Sequence, residues 1–174
     1  HVQFMHGCHT IDIDHVIGIL GIEDSRYADE GIQKFSISTS LSSEETLHHI
    51  EAKILFESLL NSIILAGWER AIAQTQPRLS GYDAFLYAQM HDINYSIDAS
   101  YVLPLDEWML LENQSKWMFY AKGLYLTLTL MRENKGDRQD AGYFVTLDIM
   151  NRASFQRKYQ KNAAENMSAE SLAD

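Results

Sequence analysis

The chain has 174 residues, 46% of them hydrophobic, 22% charged and 11% aromatic, with two Pro and a single Cys. That length fits one domain, and the composition excludes collagen, a disulfide scaffold and a mostly disordered chain. Fourteen Lys and Arg against 24 Asp and Glu leave a net charge of −10, the wrong sign for wrapping nucleic acid or anionic lipid. No run approaches the roughly 18 apolar residues of a membrane-spanning helix. Cys8 has no internal partner, so cysteine usage leaves both periplasm and cytoplasm open.

Taken in order, segment 11–20 alternates, with Ile11, Ile13, Ile17 and Ile19 on one face and Asp12 and Asp14 on the other, which predicts one strand. Polar residues 23–31 read as a loop. Segment 34–41 alternates again, with Phe35, Ile37, Thr39 and Leu41 sharing a face, and is expected to pair with the first strand. Ser42 to Glu45 has the form of a capping box, followed by a long helix with Leu47, Ile50, Ile54, Leu55, Leu59, Leu60 and Ile63 inward and a stop by Gly67. Pro77 to Gly81 is a turn into a short helix with Ser80 as N-cap and Asp83 in the first turn. Another short helix is expected from Pro104 as its first residue, carrying Trp108, Leu110 and Leu111.

Segments 124–131 and 143–150 carry the clearest alternation and predict an antiparallel hairpin with a long polar tip. Ser154 then caps a last helix with Phe155 and Tyr159. Strands in consecutive pairs point to an α+β class: one domain over residues 1–162, an antiparallel sheet with a C-terminal β-hairpin packed against one long and several short helices. Residues 163–174 lack an apolar stripe and are expected to fray.

The candidate chemistries each lack a required element. His6, Cys8, His9, Asp12, Asp14 and His15 are metal-ligating types, but their spacing matches no ligand pattern, and along a strand the acids face away from His15. His48 and His49 are adjacent, about 100° apart on a helix, whereas a zincin needs two His one turn apart. Ser80 lacks the nucleophile elbow of a hydrolase. Cys8 sits at an acidic end of the chain, unsuited to a reactive thiolate. Paired acids such as Asp106 and Glu107 are explained by a helix start. No phosphate-cradling Gly motif occurs. The reading therefore assigns no catalytic residue, no metal and no cofactor.

What remains is an acidic binding surface. Residues 1–51 hold nine acids against two bases. The loop acids Glu23, Asp24, Asp29 and Glu30, which no helix cap explains, are the first candidate for partner binding. Asp137 and Asp140 at the hairpin tip are the second. Tyr27, Tyr95, Tyr101, Tyr125 and Trp117 are candidate hot spots. The basic cluster Arg152, Arg157, Lys158 and Lys161 reads as a solvated helix face.

Trp68-Glu69-Arg70, the Pro77-Arg78-Leu79-Ser80-Gly81 turn and the hairpin from Trp117 through Gly123-Leu124 to Tyr143-Phe144-Val145 together resemble small bacterial immunity proteins that neutralise type VI secretion effectors. The likeness spans residues 44–160 and is one of size, charge and layout. It implies a non-enzymatic inhibitor of a cognate toxin, often in the periplasm. The competing expectations are an enzyme with a dispersed or metal-assisted site near the N-terminal His/Asp cluster, and a structural subunit of a bacterial assembly.

Overall fold

The computed structural model describes residues 1–133 and 139–158, and the architecture is α+β. A ribbon of β1 (Val2–His6) and β2 (His9–Ile13) leads into β3 (Val16–Ile22). Next come a 3-10 turn (Ser25–Glu30), β4 (Lys34–Ser40) and the two-residue β5 (Leu47–His48). Helix α1 (His49–Leu65) is followed by β6 (Glu69–Arg70), α2 (Gly81–Met90) and α3 (Leu105–Leu110). Strands β7 (Lys116–Ala121), β8 (Leu124–Glu133) and β9 (Asp140–Asn151) precede helical turns at 152–158. The main sheet has seven strands in the order β3-β4-β9-β8-β7-β6, with β5 beside the start of β9. Every strand pair in it is antiparallel.

The predicted hairpin is the β8–β9 pair, running from Leu124↔Asn151 to Glu133↔Gly142. Its alternation positions the core. Ile37, Leu147, Leu128 and Trp117 lie side by side across four strands on one face and are all buried. Phe56 of α1 is driven onto that face, its ring 4.7 Å from Trp117 and 5.6 Å from Trp108. Burying such a phenylalanine contributes on the order of 1.5–3 kcal/mol. The opposite face is more polar. Asp148 there pairs with Lys34 at 2.7 Å and accepts from the Ser36 hydroxyl at 2.8 Å. One end of that face is roofed by Phe155, stacked on Tyr125 at 3.8 Å.

Several local expectations are corrected. Segment 11–20 is two strands. His15, at φ 51, lies in the left-handed region and breaks the alternation. Ile11 and Ile13 therefore point into the core, whereas Ile17 and Ile19 are 63% and 54% exposed. The expected capping box does not form: the Ser42 hydroxyl accepts from the Glu44 amide at 3.0 Å, and Leu47-His48 pairs with Ala141-Asp140 before the helix begins. The buried face of α1 is Ala52, Phe56, Leu60 and Ile63, while Ile50 and Ile54 are exposed. Apolar residues surround that helix too widely for periodicity to choose its face. Pro104 is the N-cap of α3 rather than its first residue. Ser154 does not cap the final helical turns; its amide donates to Asn151 Oδ1 at 2.8 Å. Strand β7, buried on both faces at Trp117, Met118 and Phe119, has no alternation to betray it. Tyr159 and the segment 163–174 lie outside the described residues.

Candidate functional site

Strand β3, sequence VIGILGI, ends the sheet. It carries no charge and no Pro, two of the usual protections of an exposed edge. Ile17, Ile19, Leu20 and Ile22 are 63%, 54%, 59% and 38% exposed, joined by Ile32 and Phe35 on the adjoining loop and β4. Two observations fix which backbone groups β3 turns outward. The Ser40 amide donates to His15 O at 3.2 Å, and the Leu41 amide donates to Tyr143 O at 3.1 Å. Because antiparallel bonding alternates, Ser38, Ser36 and Lys34 turn their amides to β3, and Phe35, Ile37 and Thr39 turn theirs to β9. The register Gly18↔Ser38, Leu20↔Ser36, Ile22↔Lys34 then leaves the amides and carbonyls of Ile19 and Gly21 facing away from the sheet. Gly21 also admits Ile32: a Cβ there would lie 3.2 Å from Ile32 Cδ1.

Carboxylates bracket the strand. Asp12 and Asp14 precede it, and Glu23, Asp24, Asp29 and Glu30 follow it. These acids are not equivalent. Asp24, expected to have no capping role, is the N-cap of the 3-10 turn and accepts from the Arg26 amide at 3.0 Å. It also binds the Arg26 guanidinium, with Nη2 at 2.6 Å, and those bonds pull its pKa down to about 2. Glu30 takes a two-pronged bond from Arg157 at 2.9 and 2.8 Å, which holds its carboxyl below the usual range. Arg157 lies over the Tyr27 ring at 3.9 Å. The acidic loop and part of the basic cluster, apart in sequence, thus clasp one another. A cleft of about 650 Å³ opens between them, lined by Arg26, Tyr27, Lys34 and Arg157 among others.

Of the predicted partner-binding residues, Asp24 and Glu30 are internally paired, and Asp140 meets His48 at 2.5 Å. Glu23 and Asp29 are exposed and form no ion pair among the described residues. Asp137 lies outside them. Among the candidate hot spots, Tyr95 and Trp117 are fully buried, and Tyr125 is stacked beneath Phe155. The signal the alternation reading passed over is an uncharged VIGILGI run next to an acidic turn.

The N-terminal cluster spreads out. His1 Nδ1 lies 2.7 Å from Asp14, while His6 and His9 hydrogen-bond the carbonyls of Lys122 and Ala66. No three His, Cys, Asp or Glu side chains converge for a metal among the described residues. His48 and His49 part company, with His49 Nδ1 2.6 Å from the Tyr143 hydroxyl. Ser80 is the N-cap of α2, as the sequence predicts, although its hydroxyl makes no capping bond; the Gly81 amide donates to Asp98 instead.

Arg70 and the Pro77–Gly81 turn are tied to the loop around Asp98. Arg70 donates to Leu79 O at 2.6 Å and to Ser96 O, and lies 3.7 Å from Asp98. Burial alone would raise the Asp98 pKa. Bonds from the Gly81 and Ser100 amides and the Ser100 hydroxyl, with Arg70 nearby, outweigh it and hold the carboxyl low.

No helix among the described residues is long and apolar enough to cross a membrane. Compared with family models, curated proteins and solved structures, the chain matches none.

Proposed function

We propose that this chain is a non-enzymatic binding protein, an immunity protein that binds and inhibits a cognate bacterial toxin. One observation carries the reading: six large apolar side chains stand exposed together at one sheet edge, with unpaired carboxylates beside them. An apolar centre with a charged rim is the composition of a recognition surface, and such patches on a soluble domain mark contact sites. The net charge of −10 steers a basic partner, such as a nuclease or pore-forming toxin with a cationic active surface, toward that edge. Where the toxin acts in the periplasm, the neutraliser belongs there as well.

The test is co-expression with the toxin candidate encoded by the neighbouring gene. Survival of the host and co-purification of the pair are expected. Unrelieved toxicity, with no complex at micromolar concentration, would overturn the proposal.

A further inference from the structure

The exposed edge has a geometry that names its mode of recognition. We propose that β3 receives an extended segment of the partner as an added strand, and that this segment carries Lys or Arg at both ends. The inference rests on the binding-protein reading above and specifies how that binding occurs.

Three observations support it. Ile19 and Gly21 direct amide and carbonyl groups away from β4, so an unsatisfied ladder faces outward. Strand addition satisfies such a ladder, and pockets for alternate side chains supply specificity. Side chains on both faces of β3 are exposed, Ile19 on the core side and Leu20 and Ile22 on the other, so an added strand finds apolar neighbours on either face. The register irregularity between Val16 and Gly18 limits the accessible ladder to the stretch that follows it, which sets the docking length.

Net charge favours a foreign basic strand over a second copy. Antiparallel self-pairing that joins the outward groups of Ile19 to those of Gly21 in the other copy would set Asp14 against Arg26 and Glu23 against Ile17, so only the like net charge of the two copies opposes it. Parallel self-pairing would set Glu23 beside Glu23. Two copies that each carry a net charge of −10 repel one another, which favours a basic foreign strand over a second copy. A strand with bases at its ends brings them toward Asp14, just before β3, and Glu23, just after it, the carboxylates that adjoin the strand in sequence.

Synthetic peptides of alternating Val and Thr, flanked by Lys pairs or by Glu pairs, serve as probes in fluorescence anisotropy with the full chain. The Lys-flanked peptide is expected to bind saturably and about tenfold or more tighter than the Glu-flanked one. Hydrogen exchange should slow at the Ile19 and Gly21 amides when it is bound. Ile19→Pro removes an outward donor that no neighbouring strand uses, so it should abolish binding while circular dichroism stays unchanged.

Equal binding of the two peptides, or binding without protection of those amides, would overturn strand addition by a basic segment. A concentration-dependent dimer of the free protein that Ile19→Pro dissolves would overturn it in favour of self-pairing. If Ile19→Pro unfolds the chain, exchange protection in the unmodified protein decides alone. The two levels fail separately: neutralisation of the toxin without any peptide response would leave the immunity reading standing and remove the added strand.

Discussion

Replacing Asp98 by Ala tests whether the Arg70–Asp98 cluster holds the loops between β6 and β7. The carboxylate accepts from Gly81 N at 2.9 Å, Ser100 N at 3.0 Å and Ser100 Oγ at 2.7 Å, and faces Arg70 at 3.7 Å. Its side chain is 12% exposed and that of Arg70 19%. Removal strands the half-buried Gly81 amide at about 1–3 kcal/mol, leaves the amide of exposed Ser100 to water, and deprives a largely buried guanidinium of its counter-charge. Arg70 keeps its carbonyl partners, so we expect a total loss of about 3–5 kcal/mol. That is a large fraction of the roughly 5–15 kcal/mol that holds a domain together.

Asp98→Asn keeps an acceptor and should lose about half as much. Urea unfolding followed by the fluorescence of the buried Trp68, Trp108 and Trp117 reads both values. Because the folded pKa is depressed, the stabilisation is fully present above the unfolded value of about 3.9 and is lost as pH falls through the lower folded one. The stability gap between the parent and Asp98→Asn should therefore close on acidification below about pH 4. A cost for Asp98→Ala below about 0.5 kcal/mol, the level of ordinary surface changes, would refute the cluster's role.

Other consequences can be measured directly. Phe56→Ala empties the wedge between Trp108 and Trp117 and should cost about 3–5 kcal/mol in the same unfolding experiment. Arg157→Ala should release the turns at 152–158, seen as faster amide exchange there and around Tyr27 with little change in the β8–β9 pair. A carboxyl NMR titration should give Asp24 a pKa of about 2, returning toward the ordinary aspartate range in Arg26→Ala. With the partner in hand, charge reversal of Glu23 and Asp29 should slow association and flatten its salt dependence more than reversal of Asp24 or Glu30, whose charges are already answered within the chain.

The sequence was most legible where one face alone is buried. Strands β8 and β9 and the α2 positions Ala84, Phe85 and Ala88 follow period rules because each has one wet side and one dry side. The same rules fail at β7, dry on both faces, and at α1, whose apolar residues extend beyond its buried stripe. His15 defeats them differently, since one residue at positive φ resets the alternation without leaving a compositional trace.

The acidic loop was visible as charge. Its meaning was not, because pairing with Arg157 is a contact across more than a hundred residues. Alternation places Ile17 and Ile19 on one face with Ile11 and Ile13, because hydrophobicity alone does not say whether a strand lies inside a sheet or at its end. Position in the sheet is a property of topology, and topology separates a buried Ile37 from an exposed Ile19 directly across from it.

We propose that this molecule acts by being bound at one sheet edge. Hydrogen exchange of the complex with its neighbouring-gene partner addresses it most directly. Strong new protection is expected at the Ile19 and Gly21 amides, with α2 and α3 unchanged. A tight complex in which those amides exchange as fast as in the free protein would contradict it.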